Sequence, residues 1–157
     1  YCEKLPNYLR ELLNGDREMV TFYEAKMLIA SICKKYNIKA IMAHNAYFDY
    51  KATRNTQNFL TNGKYHSFLP YGIELWDTMK MARDVIGKMP TYRKWCELND
   101  YICKNGQLKM TAEILYRYIA GQHEFIENHT GLEDVLIEKE IFVACMRKHK
   151  KMRKSVW

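Results

Sequence analysis

The sequence predicts a helix-rich domain of the α/β class, because helical hydrophobic spacing dominates the chain and short apolar runs suited to buried strands occur twice. The chain has 157 residues, enough for one domain and hardly enough for two. Hydrophobic residues make up 48% and charged residues 27%, which leaves ample apolar surface for a core. This composition excludes collagen-like, low-complexity and intrinsically disordered chains, and we expect a single domain over residues 1–157.

The helices are predicted from apolar spacing and from signals at their ends. A short helix is expected over residues 6–13, before the stop signal of an Asn-Gly pair. Thr21 and Glu24 then form a capping box, and the helix that it opens carries an apolar stripe and is expected to end at Asn37. Further helices are predicted over residues 46–60, 78–86, 91–103, 111–120 and from 131 into the C-terminal tail. The last helix is expected to bury Leu132, Val135, Leu136, Phe142, Val143 and Met146.

Two short strands are predicted, over residues 38–43 and 71–75. The first is an apolar run that directly follows a helix stop, which is typical of a buried strand. Two strands are too few for a self-standing sheet. The residues therefore leave two possibilities, a mainly helical domain or a domain whose other strands precede residue 1.

The cysteines and the hydropathy pattern bear on the compartment. The five cysteines are Cys2, Cys33, Cys96, Cys103 and Cys145, an odd and widely spaced set without a C-x-x-C pair. This usage favours a reducing, cytoplasmic environment over a disulfide framework. No apolar run approaches the ~18 residues of a membrane-spanning helix, so no membrane partner is predicted.

The basic charge is concentrated at the C-terminus. The net charge is +7, and residues 147–154 contribute six basic side chains and no acidic one. The rest of the chain is nearly neutral. A cluster of this kind is typical of contact with nucleic-acid phosphates, and Lys148, Lys150 and Lys151 are the candidate contacts. The charge is explained equally well by the solvated, basic end of the last helix.

Two segments carry residues suited to catalysis. In residues 43–52, AHNAYFDYKA, a predicted strand gives way to a helix and Asp49 falls in its first turns, where α/β folds place ligand sites. In residues 129–134, HTGLED, His129 precedes a helix and Asp134 lies in its first turn. This pair could supply a proton acceptor and a ligand for a hard cation. Taken singly, each carboxylate is also explained by compensation of a helix dipole.

Together and in this order, the two segments resemble the second and third motifs of the DEDDh family of 3′–5′ exonucleases, which includes the proofreading subunits of bacterial replicative polymerases. The second motif is similar to H-N-x-x-F-D, matched by residues 44–49, and the third is H-x-x-x-x-D, matched by residues 129–134. Between them, residues 77–83 resemble the D-T-x-x-L-A-R segment of the family, with Met81 in place of Leu. The sister DEDDy pattern has Tyr where this chain has Thr130, so the histidine subtype is indicated.

The resemblance covers roughly residues 20–145 and implies a ribonuclease H-like fold, a mixed sheet flanked by helices. It also implies hydrolysis with two Mg²⁺ or Mn²⁺ ions at a 3′ end, releasing nucleoside monophosphates. Asp134 would ligate a metal directly, Asp49 would help hold the second metal, and His129 would be the general base on the attacking water. The candidate nucleic-acid contacts are His44, Asn45, Phe48, Lys148, Lys150 and Lys151.

The chain departs from the family pattern in its first motif, a D-x-E sequence on the first strand. The single D-x-E here, Asp16 to Glu18, follows an Asn-Gly turn without an apolar strand before it, and we expect it at the surface. The chain also lacks an initiator Met. We therefore expect the strands that bear this motif to lie outside the sequence, and the chain alone to bind metal poorly and to be inactive.

Three functions remain as expectations. The first is a DNA 3′–5′ exonuclease that acts on single-stranded or frayed ends in replication or repair, with a DNA polymerase as a candidate partner. An exoribonuclease of the same type is its alternative with RNA as substrate. The second is a nucleic-acid-binding module without catalysis on an exonuclease scaffold. The third is a helical interaction domain, for which both motif matches would be coincidental.

Overall fold

The computed structural model of the chain describes residues 5–127 and 130–157. This part is a helix-rich α/β structure, and its named elements are seven helices and two strands. In chain order they are α1 (Leu5–Asn14), α2 (Phe22–Lys35), β1 (Ala40–Ala43), α3 (Ala46–Leu60), β2 (Glu74–Asp77), α4 (Thr78–Val85), α5 (Pro90–Leu98), α6 (Ala112–Ala120) and α7 (Gly131–Arg147). No helix among the described residues is both long enough and apolar enough to cross a membrane.

The two strands form a parallel pair joined by α3. Ala40 lies opposite Glu74 and Ala43 opposite Asp77, so both strands end at the same edge of the sheet. The C-terminal segment extends this sheet on the other side of β2. Ser155 forms an antiparallel bridge with Trp76, and the Val156 N–H donates to the Leu75 carbonyl at 3.0 Å. The sheet of the described residues is therefore two parallel strands with a short antiparallel extension.

Local signals set the ends of α2 and α3 close to their predicted places. The Thr21 hydroxyl accepts from the Glu24 N–H at 3.2 Å, and the Thr21 N–H donates to the Glu24 carboxylate at 2.7 Å. This confirms the predicted capping box. After α2 the chain turns at Asn37, whose φ of 51° lies in the left-handed region. The bounds of α3 agree with the prediction of a helix over residues 46–60.

The main core lies between α4, α5, α6 and α7. Met81, Tyr92, Leu115 and Ile141 are fully buried there, one from each of these helices. A smaller apolar cluster lies beneath α3, on the sheet, and it includes Val156 of the C-terminal segment. The helices α4 and α6 both pack on α7, so the main core fixes α7 beside the ends of the strands.

The predicted inner face of α7 is wrong. Ile137, Ile141 and Cys145 are buried, whereas Leu132, Val135, Leu136 and Met146 are exposed and Phe142 and Val143 are half-buried. Apolar side chains occur on every side of this helix, so its spacing alone does not select a face. Packing against α4 and α6 makes that choice.

The basic C-terminal segment is not the helix end that was predicted for residues 147–154. The helix α7 ends at Arg147, and His149 has a φ of 50°, a conformation that terminates a helix. Beyond it the chain is extended, and Arg153 binds Asp84 through its guanidinium at 2.8 and 3.0 Å. Pairing with β2 and this ion pair replace the helical hydrogen bonds that the prediction assumed.

The predicted helix over residues 91–103 is also too long. The helix α5 ends at Leu98, and Asp100 has a φ of 57°. The following residues form a turn that is closed by an antiparallel bridge between Ile102 and Leu108. A left-handed residue interrupts the helical hydrogen-bond pattern, which explains the early end.

Candidate functional site

The candidate site forms where the two parallel strands end. The chain leaves β1 through His44 and Asn45. Asn45 adopts a φ of 63°, and this left-handed conformation turns the backbone sharply into α3. Asp49 then lies in the first turn of α3, as predicted. The strand β2 ends at Asp77 and runs directly into α4. Carboxyl ends of parallel strands are where α/β folds bind their ligands, because several turns converge there.

Asp77 ties these two turns together. Its side chain is 2% exposed, and its Oδ1 atom accepts three backbone N–H groups. They come from Asn45 at 3.2 Å, Met79 at 2.9 Å and Lys80 at 3.3 Å. Two of these bonds cap the N-terminus of α4, and the third crosses to the turn after β1. Asp77 is therefore a carboxylate whose buried oxygen is well satisfied by the protein.

His44 is anchored by both ring nitrogens. Its Nε2 lies 2.7 Å from the Met110 carbonyl oxygen, and its Nδ1 lies 3.0 Å from the Thr78 hydroxyl. Since a carbonyl only accepts, we assign the proton to Nε2. Burial lowers the pKa of His44, which favours this neutral form. The structure thus places His44 as a link between β1, α4 and the loop before α6, and the predicted nucleic-acid contact stays a prediction.

The helix α7 brings two further carboxylates to the strand ends. Glu138 accepts the His44 N–H at 2.9 Å through Oε1. Asp134 lies one helical turn earlier, and its Oδ1 atom is buried without a hydrogen-bond partner in the described residues. Nearly all buried polar atoms in proteins have a partner, so a carboxylate oxygen without one among the described residues is unusual. A carboxylate oxygen can accept a hydrogen bond or bind a cation, so Asp134 is a candidate ligand-binding residue.

The carboxylates of this edge influence one another electrostatically. Burial raises the pKa of Glu138, and the negative charges of Asp49, Asp134 and Asp77 raise it further. Partial burial also raises the pKa of Asp49, with a contribution from Asp77. We call these four residues the carboxylate cluster. Their mutual repulsion is the electrostatic condition under which a divalent cation binds favourably.

The cluster does not by itself form a complete metal centre. Among the described residues, no group of three His, Cys, Asp or Glu side chains could hold a metal ion. Carboxylate oxygens are the ligands that Mg²⁺ and Mn²⁺ prefer, and the Oδ1 atom of Asp134 is the carboxylate oxygen here that is buried without a hydrogen-bond partner among the described residues. His129, the predicted general base, lies outside the described residues.

The other predicted site residues occupy two separate places. Phe48 and Asn45 are exposed beside Asp49, at the start of α3. Lys148, Lys150 and Lys151 are exposed at the opposite end of α7 from Asp134. With a rise of 1.5 Å per residue, the 14 positions from Asp134 to Lys148 place these two residues about 21 Å apart along the axis of α7.

The D-x-E sequence is exposed at the surface, as expected. Asp16 and Glu18 are exposed in the segment between α1 and α2, and Arg17 pairs with Glu11 at 2.6 Å.

The cysteines of the described residues all have free thiols. Cys33, Cys96 and Cys145 are buried free thiols and Cys103 is an exposed one, while Cys2 lies outside the described residues.

Sequence reasoning missed Glu138. The available signal was its spacing, since positions 134, 138, 141 and 145 follow one another at four, three and four residues on a single helical stripe. Ile141 and Cys145 are the buried residues of that stripe, and the two carboxylates continue it toward the strand ends. A helix face that is apolar at one end and acidic at the other indicates a site at its acidic end.

Comparisons with known proteins add no relative. No protein-family model, no curated protein and no solved structure matches the chain. The function therefore has to be inferred from the chemistry of the strand ends and from the order of the motifs in the sequence.

Proposed function

We propose that the protein is a metal-dependent 3′–5′ exonuclease of the DEDDh type with a ribonuclease H-like fold. Its substrate is the 3′ end of single-stranded or frayed DNA, from which it releases nucleoside monophosphates. The observation that carries the proposal is the buried, unpartnered Oδ1 atom of Asp134 within the carboxylate cluster. The order of the two motifs supports it, because both of their aspartates belong to this cluster.

Each residue has a part in the proposed reaction. Asp134 and Asp49 would hold two divalent ions, which when bound stabilise the attacking and leaving oxygens of the phosphodiester. Glu138 fixes the turn after β1 through the His44 N–H and adds negative charge to the cluster. Asp77 positions the same turn through the Asn45 N–H. His129 would take the proton of the attacking water, since a histidine pKa is close to neutral.

A cavity beside Asp49 supports a nucleotide substrate. Its volume is about 600 Å³, within the range of small-molecule sites, and Tyr50, Phe68 and Trp157 contribute to its lining. An aromatic lining suits the base of a terminal nucleotide because every base presents a face for stacking. The proposal therefore includes removal of nucleotides without strong preference for sequence.

The test is nuclease activity on 3′- and 5′-labelled single-stranded DNA and RNA, with Mg²⁺, Mn²⁺ or EDTA. It uses the 157-residue chain and, in parallel, a form extended at its N-terminus by the expected D-x-E strand, with the Asp134→Asn and His129→Ala variants. Glu140→Gln is the matched control, since Glu140 is an exposed carboxylate of the same helix. Because the 157-residue chain alone is expected to be inactive, we expect stepwise shortening from the 3′ end in the extended form, where EDTA and both site variants abolish it and the control retains it. Endonucleolytic products, or activity in EDTA, would contradict the proposal.

One observation favours a second candidate, a nucleic-acid-binding module without catalysis. Within the described ranges, no three potential ligands could hold one metal ion. The Asp49→Ala variant separates the candidates. In an exonuclease it abolishes hydrolysis and spares binding, whereas in a binding module it changes neither. The RNA arm of the assay decides between the DNA enzyme and an exoribonuclease.

A further inference from the structure

A second cavity adjoins the turn at His44 and Asn45. Its volume is about 380 Å³. Arg83 of α4 and Lys109 of the loop before α6 contribute positive charge to its lining, and Gln107 contributes an amide. None of the described residues that line it is acidic. We call it the cationic cavity.

The two cations of this cavity have no ion-pair partner in the described part of the protein. Among the described residues neither Arg83 nor Lys109 takes part in an ion pair, whereas the neighbouring Asp84 is held by Arg153 and Lys88. The Lys109 ammonium lies 5.7 Å from the centre of the Tyr101 ring, a contact that leaves its charge available. An arginine and a lysine that line one concave site without a lining carboxylate favour an anionic ligand.

The turn at residues 44–45 separates this positive site from the carboxylate cluster. On the cluster side, the His44 N–H binds Glu138 and the Asn45 N–H binds Asp77. His44 and Asn45 are also among the residues that line the cationic cavity. A ligand that spans the turn thus meets carboxylates on one side and cations on the other.

We propose that the cationic cavity binds a phosphodiester of the substrate strand, next to the bond that would be cleaved at the carboxylate cluster. This inference rests on the proposed function and names the part of the protein that guides the strand. Arg83 and Lys109 pair with the phosphate oxygens, and the Gln107 and Asn45 amides can donate to the same group. Contacts to phosphate carry no sequence information, so the cavity holds any sequence equally.

The first test measures binding of a short fluorescent single-stranded DNA by anisotropy, in EDTA so that no hydrolysis occurs. The variants are Arg83→Gln, Lys109→Gln and the double variant. Lys94→Gln is the control, since Lys94 is exposed on α5 and lines neither cavity. We expect the double variant to reduce the slope of log Kd against log[salt] by about 0.7, the value for one phosphate of a single strand, and the control to leave it unchanged. An unchanged slope in the double variant would overturn the inference.

The second test uses Cys103, an exposed thiol that lines the cationic cavity. A Cys2→Ser background removes the one cysteine outside the described residues, and the other three thiols are buried. We expect single-stranded DNA to slow alkylation of Cys103 in EDTA, and the double variant to lose this protection. Equal alkylation rates with and without saturating DNA would place the strand elsewhere.

The two proposals fail separately. Protection of Cys103 without any nuclease activity would retain the cavity and reject the exonuclease. Nuclease activity with a salt slope that Arg83→Gln and Lys109→Gln leave unchanged would retain the exonuclease and reject the cavity.

Discussion

Two buried carboxylate oxygens lie near the ends of the strands, and they differ in their hydrogen-bond partners. The Oδ1 atom of Asp77 accepts three N–H groups and is nearly inaccessible to solvent. The Oδ1 atom of Asp134 is also buried, but it has no donor in the described part of the protein. One carboxylate holds the architecture together, and the other keeps its capacity to bind a ligand. A buried polar atom without a hydrogen-bond partner is typical of functional sites.

The largest effect is expected from Asp77→Ala. The variant leaves three buried N–H groups without their acceptor, so we expect the free energy of unfolding to fall by about 3 kcal/mol. Urea unfolding followed by circular dichroism measures this loss. Asp77→Asn keeps an acceptor oxygen in the same place and should lose clearly less. A loss below about 1 kcal/mol for the alanine variant would mean that the turns do not depend on Asp77.

Asp134→Asn should have the opposite sign. It removes a charge that is partly buried and that repels Glu138, so we expect the free energy of unfolding to rise by about 1 kcal/mol. The proposed hydrolysis should be lost at the same time. Urea unfolding measures the change in stability, with Glu140→Gln as the control. A gain in stability together with a loss of activity identifies Asp134 as a residue that is retained for function. A loss of stability as large as that of Asp77→Ala would erase the distinction between the two carboxylates.

The pH dependence of stability gives a finer test through Glu138. Burial and neighbouring negative charges raise the pKa of this carboxyl in the folded state. Its contribution to stability is therefore fully present below the ordinary pKa of Glu and is lost as pH rises through the raised value. We expect Glu138→Gln, which keeps an acceptor for His44, to become increasingly stable relative to the native protein from pH 4 to pH 7. A difference in the free energy of unfolding between the variant and the native protein that is the same at pH 4, 5.5 and 7 would contradict this.

The smallest effect is expected at Asp84, outside the site. Hydrogen bonds from Arg153 hold the pKa of Asp84 well below its usual range, so its contribution is present above that range and is lost as pH falls. Asp84→Asn should lower stability modestly at pH 7, with a difference that shrinks in acid and in high salt, because the pair is near the surface. Thermal unfolding in 0.05 and 1 M salt measures it. The sense of this pH dependence is opposite to that of Glu138, which separates a stabilising ion pair from the repulsion within the cluster.

Elements governed by neighbouring residues agree with their prediction. The capping box at Thr21 and Glu24 and the whole of α3 were predicted from spacing and end signals. Features that depend on residues distant in the chain were not predicted. The burial of Ile137 in α7 depends on contact with α4 and α6, and the extended segment at Ser155 depends on the free edge of β2.

The candidate site divides in the same way. Asp49 and Asp134 were predicted because each lies in a recognisable motif at the start of a helix. Glu138 and the structural role of Asp77 were not predicted. Their roles depend on hydrogen bonds from the His44 and Asn45 N–H groups, and these partners lie far away in the chain. Arg83 and Lys109 likewise come together only in the folded protein.

The sequence by itself determined the class of the structure, the positions of its helices and the two segments that carry acidic residues. Caps, turns and apolar spacing act over a few residues, so these features can be identified without the rest of the chain. Only the tertiary structure decided which carboxylate is satisfied and which is left without a donor. Burial and hydrogen bonding depend on groups brought together from β1, α4 and α7, and it is their packing that leaves the Asp134 Oδ1 atom buried without a partner among the described residues.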